Sequence, residues 1–160
     1  MASGETTDPS QEILYLEDLY VGRRFLSPGR YVMQEERMKA FAAEFDPQPF
    51  HLDNAAAEKS VFHGLAASGW HTAAAAMRLF VTSGLHPYGG LIGLGGEIAW
   101  PRPTRPGDIL RLESEVLEVT PSRSKPNQGV VKVRSTLFNQ NNEEVQIFTA
   151  KILAFRRPAG

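Results

Sequence analysis

The 160-residue chain predicts an α+β fold in which a curved antiparallel sheet wraps around a central helix. Three observations predict it. Alternating apolar and polar runs fill the second half, from Leu110 to Val119, Val130 to Phe138 and Val145 to Phe155; long strands joined by local turns pair antiparallel. The stretch from Leu65 to Phe80 is built of helix formers with small residues on nearly every side, so neighbours approach it closely all round. Acidic and basic residues nearly cancel, at a formal charge of -1, in a chain long enough to bury a sizeable core.

Residues 1–12 are polar and acidic and lack the basic start and apolar stretch of a signal peptide, so they are expected to form a disordered tail ahead of a single domain over residues 13–160. Strands are expected near Arg24 to Leu26, Tyr31 to Met33 and Glu97 to Trp100. From Glu35 to Phe45 the residues Met38, Phe41, Ala42 and Phe45 share one face, the spacing of an amphipathic helix that stops at Asp46-Pro47. A short helix through Ala55, Ala56 and Ala57 is capped by Asp53 or Asn54. Gly64 is expected at the start of the Leu65 helix, and His86 in a loop. Pro121 to Gly129 connects two strands, and Asn139-Gln-Asn-Asn142 makes a hairpin turn.

Several function classes are excluded by composition. No basic run or aromatic-basic stripe suits nucleic acid or a membrane surface. No apolar run approaches the roughly 20 residues of a membrane span. Without cysteine there are no disulfides, zinc thiolates or thiol nucleophiles, which suits a cytoplasmic protein.

The chemistry concentrates in Asp46-Pro-Gln-Pro-Phe-His51. Pro47 and Pro49 fix their own φ and push Asp46 and Gln48 out of the α region, predicting a rigid, extended turn from Asp46 to His51. Two proton-transfer groups then stand on stiff backbone, a place to hold and activate water. From the residues alone a second reading stands beside it, in which Asp46 caps the turn and His51 packs.

Together with His63-Gly64-Leu65 and Trp100-Pro-Arg-Pro-Thr-Arg-Pro-Gly-Asp108, this turn resembles the (R)-specific enoyl-CoA hydratases, the MaoC-like dehydratase family, whose signature is Asp-x-Asn-Pro-(aliphatic)-His. The resemblance runs from about Tyr15 to Phe155. Gln48 replaces the usual Asn and Phe50 the aliphatic residue, which leaves the substrate more open than the chemistry.

The resemblance implies a hot-dog fold and a catalytic pair, Asp46 and His51, that adds water to trans-2-enoyl-CoA to give (R)-3-hydroxyacyl-CoA. It implies Gly64 as the N–H donor to the thioester oxygen, with Gln48, Phe50 and Thr72 beside the substrate. No cofactor beyond the CoA of the acyl-CoA substrate, no metal, and a homodimer are expected. Two alternatives share the fold: a thioesterase in which Asp46 activates water toward the thioester carbon, and a noncatalytic acyl-thioester-binding module. Arg102 and Arg105 are read as solvated edge residues.

Overall fold

The computed structural model describes residues 12–160, so all but the last residue of the expected tail lies outside the described residues. The elements run in the order β1 (Ile13–Leu14), β2 (Arg24–Leu26), β3 (Tyr31–Val32), α1 (Glu35–Phe45), α2 (Pro49–Leu52), α3 (Asn54–Glu58), α4 (Gly69–Val81), β4 (His86–Pro87), β5 (Ile92–Ala99), β6 (Ile109–Pro121), β7 (Gln128–Phe138) and β8 (Glu144–Phe155).

The large sheet is antiparallel, in the order β2-β6-β7-β8-β5, with β3 pairing β6 beyond the end of β2. Alternation decides its faces. Leu110, Leu112 and Val116 of β6, and Val131, Val133 and Leu137 of β7, point inward and are buried with Leu79 and Phe80 of α4 and Met38 of α1. Each such side chain, fully buried, contributes about 1.5–3 kcal/mol. Ser114 and Ser135, opposite each other in register, break the apolar alternation and satisfy one another through a 2.8 Å hydroxyl pair.

This is the α+β arrangement expected, with four differences. His86 is not in a loop: β4 pairs in parallel with β1, a two-stranded sheet between distant segments that carry no strand-length pattern of their own. Strand β5 begins at Ile92, upstream of Glu97, because pairing with β8 holds Gly93, Gly95 and Gly96 extended, with a bulge between Gly93 and Gly95. Helix α4 starts at Gly69, not Leu65, because the Ser68 hydroxyl caps it by accepting from Trp70 N–H. Of its small residues Ala75 and Ala76 are buried in the core, but Ala74 is exposed, and Trp70, Met77 and Val81 leave an apolar stripe exposed. No helix among the described residues is long and apolar enough to cross a membrane.

Candidate active site

Helix α1 delivers Asp46 to the site. Asp46 N–H closes the last turn on Ala42 O at 2.9 Å, and Pro47 has no N–H with which to continue. The extended segment is shorter than expected. Asp46 and Gln48 leave the helical region, at φ -151°, ψ 66° and φ -97°, ψ 144°, but Pro49 opens the one-turn helix α2, which carries His51. Proline at the first helical position forfeits no intrahelical bond, so the second proline starts a helix instead of prolonging the turn.

The turn and the helix bring Asp46 Oδ2 within 3.2 Å of His51 Nε2. The other imidazole nitrogen, Nδ1, lies 2.7 Å from the carbonyl oxygen of Ala66. A carbonyl only accepts, so Nδ1 carries the hydrogen and Nε2 is the nitrogen free to exchange a proton with whatever lies in the pocket. His51 is buried, and Phe50 stands edge-on to its ring at 4.6 Å.

Asp46 is held by more than its partner histidine. Gln48 Nε2 donates to Oδ1, and the hydroxyl of Ser68 donates to Oδ2 at 2.7 Å. Burial pushes the Asp46 carboxyl up, but the hydrogen bonds from Gln48 and Ser68 and the charge and hydrogen bond of His51 outweigh it, and the group is held below its ordinary range.

The pair opens into a cavity of about 530 Å³ lined also by Phe62, Gly69, Trp70, Thr72, Trp100 and Thr104. A second, more apolar cavity of about 290 Å³ shares Trp70 and continues along α4 past Met77 and Phe80 to Phe148 of the sheet. Gln48, Phe50 and Thr72 line the first cavity. The hydroxyl of Thr72 is already engaged with Thr104 Oγ1 at 3.1 Å and with Ser68 O. Of the aromatic residues near the turn, Phe45 projects outward and lines neither cavity.

Gly64 is a correction. It lies five residues ahead of α4 with φ +147°, lines neither cavity, and its N–H is spent on Ala57 O at 3.1 Å. It cannot offer that N–H to a substrate. Gly69 differs: it is the first residue of α4, lines the cavity, and its N–H has no partner among the described residues. A Cβ there would stand 2.8 Å from the indole of Trp100, which is itself pinned by a 3.0 Å bond from Nε1 to the buried Gln146 Oε1.

Arg105 is not a solvated edge residue. Its guanidinium donates to the carbonyls of Phe62, Gly64 and Leu65, tying the loop that carries Phe62 to the segment before β6. Arg102 does sit at the surface, 3.4 Å from Glu143, beside the cavity mouth. Ser68 and Gly69 were not singled out from sequence, and Trp100 and Thr104 entered only within the motif from Trp100 to Asp108. The one signal available was Ser-Gly ahead of a helix-forming run, an N-cap pattern. No group of three metal-ligating side chains occurs among the described residues.

Residues 19–138 match the MaoC like domain family. The chain is 33% identical over 140 residues to YdeM, an uncharacterized protein of Bacillus subtilis (strain 168), covering 86% of this chain and 94% of that one. Its structure resembles the crystal structure of the MaoC-like dehydratase from Rhodospirillum rubrum, with 57% identity, a TM-score of 0.88, and 91% and 99% of the two chains covered. It also resembles the unliganded R-hydratase PhaJ1 from Pseudomonas aeruginosa, at 30% identity and a TM-score of 0.70 over 91% and 88% of the chains.

Proposed function

The chain belongs to the MaoC-like dehydratase family, and from that premise we propose that it interconverts trans-2-enoyl-CoA and (R)-3-hydroxyacyl-CoA thioesters, with Asp46 and His51 holding the water. The observation that carries the reading is the 3.2 Å contact between His51 Nε2 and Asp46 Oδ2 in the cavity wall, with Nδ1 tied to Ala66 O. That contact is a hydrogen bond only when a proton lies between the two groups. The pair therefore has one proton to lend or take, which is what syn addition demands.

In hydration, water oxygen bonds to C3 while His51 Nε2 takes a water proton, and the electron pair of the double bond moves toward the thioester oxygen. The Asp46–His51 pair then returns one proton to C2, so no proton is gained or lost over the cycle. Asp46, ionised and fixed by Gln48 and Ser68, orients the water and stabilises the imidazolium. Negative charge on the thioester oxygen needs preorganised donors, and the N–H of Gly69 at the positive end of α4 is the candidate. The acyl chain runs past Trp70 into the apolar cavity beside Met77 and Phe80. The reaction needs no cofactor beyond the CoA of its substrate.

The functional unit is a homodimer. Strand β5 is a sheet edge, exposed at every residue but the half-buried Ile98 and bearing Ile92 and Leu94, next to the exposed stripe of Trp70, Met77 and Val81. An unpaired edge beside an apolar patch favours a second copy.

Crotonyl-CoA tests the chemistry. Hydration consumes the conjugated double bond and keeps the thioester, whereas hydrolysis keeps the double bond and releases a thiol. The chain has no cysteine, so a thiol reagent sees only released CoA. Loss of enoyl-thioester absorbance without thiol release is expected. Stoichiometric thiol release would make the protein a thioesterase, and silence in both channels with saturable acyl-CoA binding would make it a binding module.

A further inference from the structure

A second groove, of about 660 Å³, shares no lining residue with the pocket of Asp46 and His51. Helix α4 contributes His71 and Arg78, α1 contributes Arg37 and Phe41, and the chain entering β3 contributes Arg30 and Tyr31. No carboxylate lines it. Outside the groove Arg24, Arg102, Arg111, Arg134, Arg156 and Arg157 each lie within 3.4 Å of an Asp or Glu oxygen, Arg23 and Arg105 donate to backbone carbonyls, and Arg123 has no carboxylate partner among the described residues. Among the described residues Arg37 and Arg78 have no such partner, and Arg30 reaches only the backbone carbonyls of Ser27 and Gly29.

The groove wall holds one further unpaired group. His71 is 6% exposed, and its Nδ1 has no hydrogen-bond partner among the described residues. Its ring stacks on Phe41 at 4.8 Å and 9°, with Tyr31 edge-on. Burial, and then the charge of Arg37, hold its pKa below the ordinary value, so the imidazole is neutral at pH 7. A buried polar nitrogen without a partner is costly, and arginines that line one groove with no carboxylate among them leave its potential positive. An anion with several acceptor oxygens relieves both. The volume exceeds what a lone inorganic anion fills, and Tyr31 and Phe41 offer aromatic surface for the organic part of such a ligand.

We propose that this groove binds a phosphate ester, its phosphoryl oxygens on Arg30, Arg37 and Arg78 and its body against Tyr31, Phe41 and His71. Arginine forks suit phosphoryl oxygens because they donate in pairs. The site stands apart from the hydratase reading, and its test uses binding rather than turnover.

The full-length chain is titrated with adenosine 3′,5′-bisphosphate and, separately, with inorganic phosphate, following the imidazole signals of His71 by NMR and the affinity by calorimetry. Saturable shifts at His71 are expected. Arg37→Gln and Arg78→Gln, both at exposed positions, should each weaken binding at least about ten-fold, while Arg134→Gln, outside the groove, should leave it unchanged. Much tighter binding of the bisphosphate than of inorganic phosphate is expected; equal affinity means that the organic body adds nothing and overturns the assignment to a phosphate ester. The proposal is overturned if neither probe saturates, if Arg134→Gln weakens binding as much as the groove variants, or if oligoglutamate shifts His71 and the phosphates do not.

Discussion

The hydroxyl of Ser68 lies 2.7 Å from Oδ2 of Asp46, so the residue that caps the long helix also holds the carboxylate of the candidate pair. One side chain thus couples the start of α4 to the end of α1. The cavity is built where these two helix ends meet, and both the Asp46–His51 contact and the unpaired N–H of Gly69 stand at that meeting.

Removing either member of the pair should stop the chemistry and spare the fold. Asp46→Asn and His51→Ala are each expected to lower hydratase turnover by about two to four powers of ten. The double variant should be little worse than the single ones, because the pair moves one proton between them. Circular dichroism and thermal melting establish that folding is intact. Near-normal turnover in either single variant, with crotonyl-CoA or a longer ester, would place the reaction elsewhere.

Ser68→Ala should cost about 1 kcal/mol of stability through the lost cap and lower kcat/KM by roughly ten-fold through the lost bond to a charged group. A purely structural role would leave the pH profile where it is. Loss of a donor to the carboxylate raises the Asp46 pKa, so the acid limb of kcat/KM should move to higher pH. Stability carries the same signature. Folded Asp46 is held below its ordinary value of 3.8, so its contribution is present above that pH and is lost as pH falls through the lower folded value. Acid titrations of Asp46→Asn should lack that component.

The two glycines should separate structure from catalysis. Gly64→Ala puts a Cβ on a φ of +147° and is expected to destabilise by about 1–3 kcal/mol with kcat little changed. Gly69→Ala keeps helical backbone but drives a methyl to 2.8 Å from Trp100, displacing the ring or the helix start. Displacement on the order of 1 Å at a reacting centre costs about a hundred-fold in rate. Turnover and melting temperature measured on both variants decide it; a Gly64→Ala protein that folds normally yet is inactive would reverse the assignment.

Light scattering at micromolar concentration should return twice the chain mass of 17.7 kDa. Leu94→Glu on the exposed edge, or Met77→Glu on the α4 stripe, should shift the protein to monomer, since each buries a charge against a second copy. A monomeric parent protein would remove the partner surface altogether.

What the sequence determined by itself is local. The period of Met38, Phe41, Ala42 and Phe45 set α1 to its last residue, because an α-helix is governed by contacts three and four positions apart and by the proline that follows. The alternation in β6 and β7, broken only by Ser114, Ser135 and a bulge after Val116, set their strands, and Asn139 to Asn142 the turn that follows β7. Asp46 and His51 stood out through a resemblance in motif, while proline geometry gave only the break after α1, since Pro49 starts a helix instead of prolonging the turn.

The rest of the site was decided by tertiary structure. Ser68 reaches Asp46 across 22 positions, Thr72 meets Thr104 across 32, and Arg105 ties down carbonyls some 40 residues earlier. No local rule ranks one such partner above another. Gly64 and Gly69 look alike in sequence, each glycine ahead of a helix-forming run. Only the folded chain shows that Ala57 occupies the first N–H while the Ser68 cap begins the helix at the second, which lines the cavity with its N–H unpaired among the described residues. Local sterics and propensity act within a few residues, whereas which hydrogen bonds remain unpaired depends on where distant segments pack.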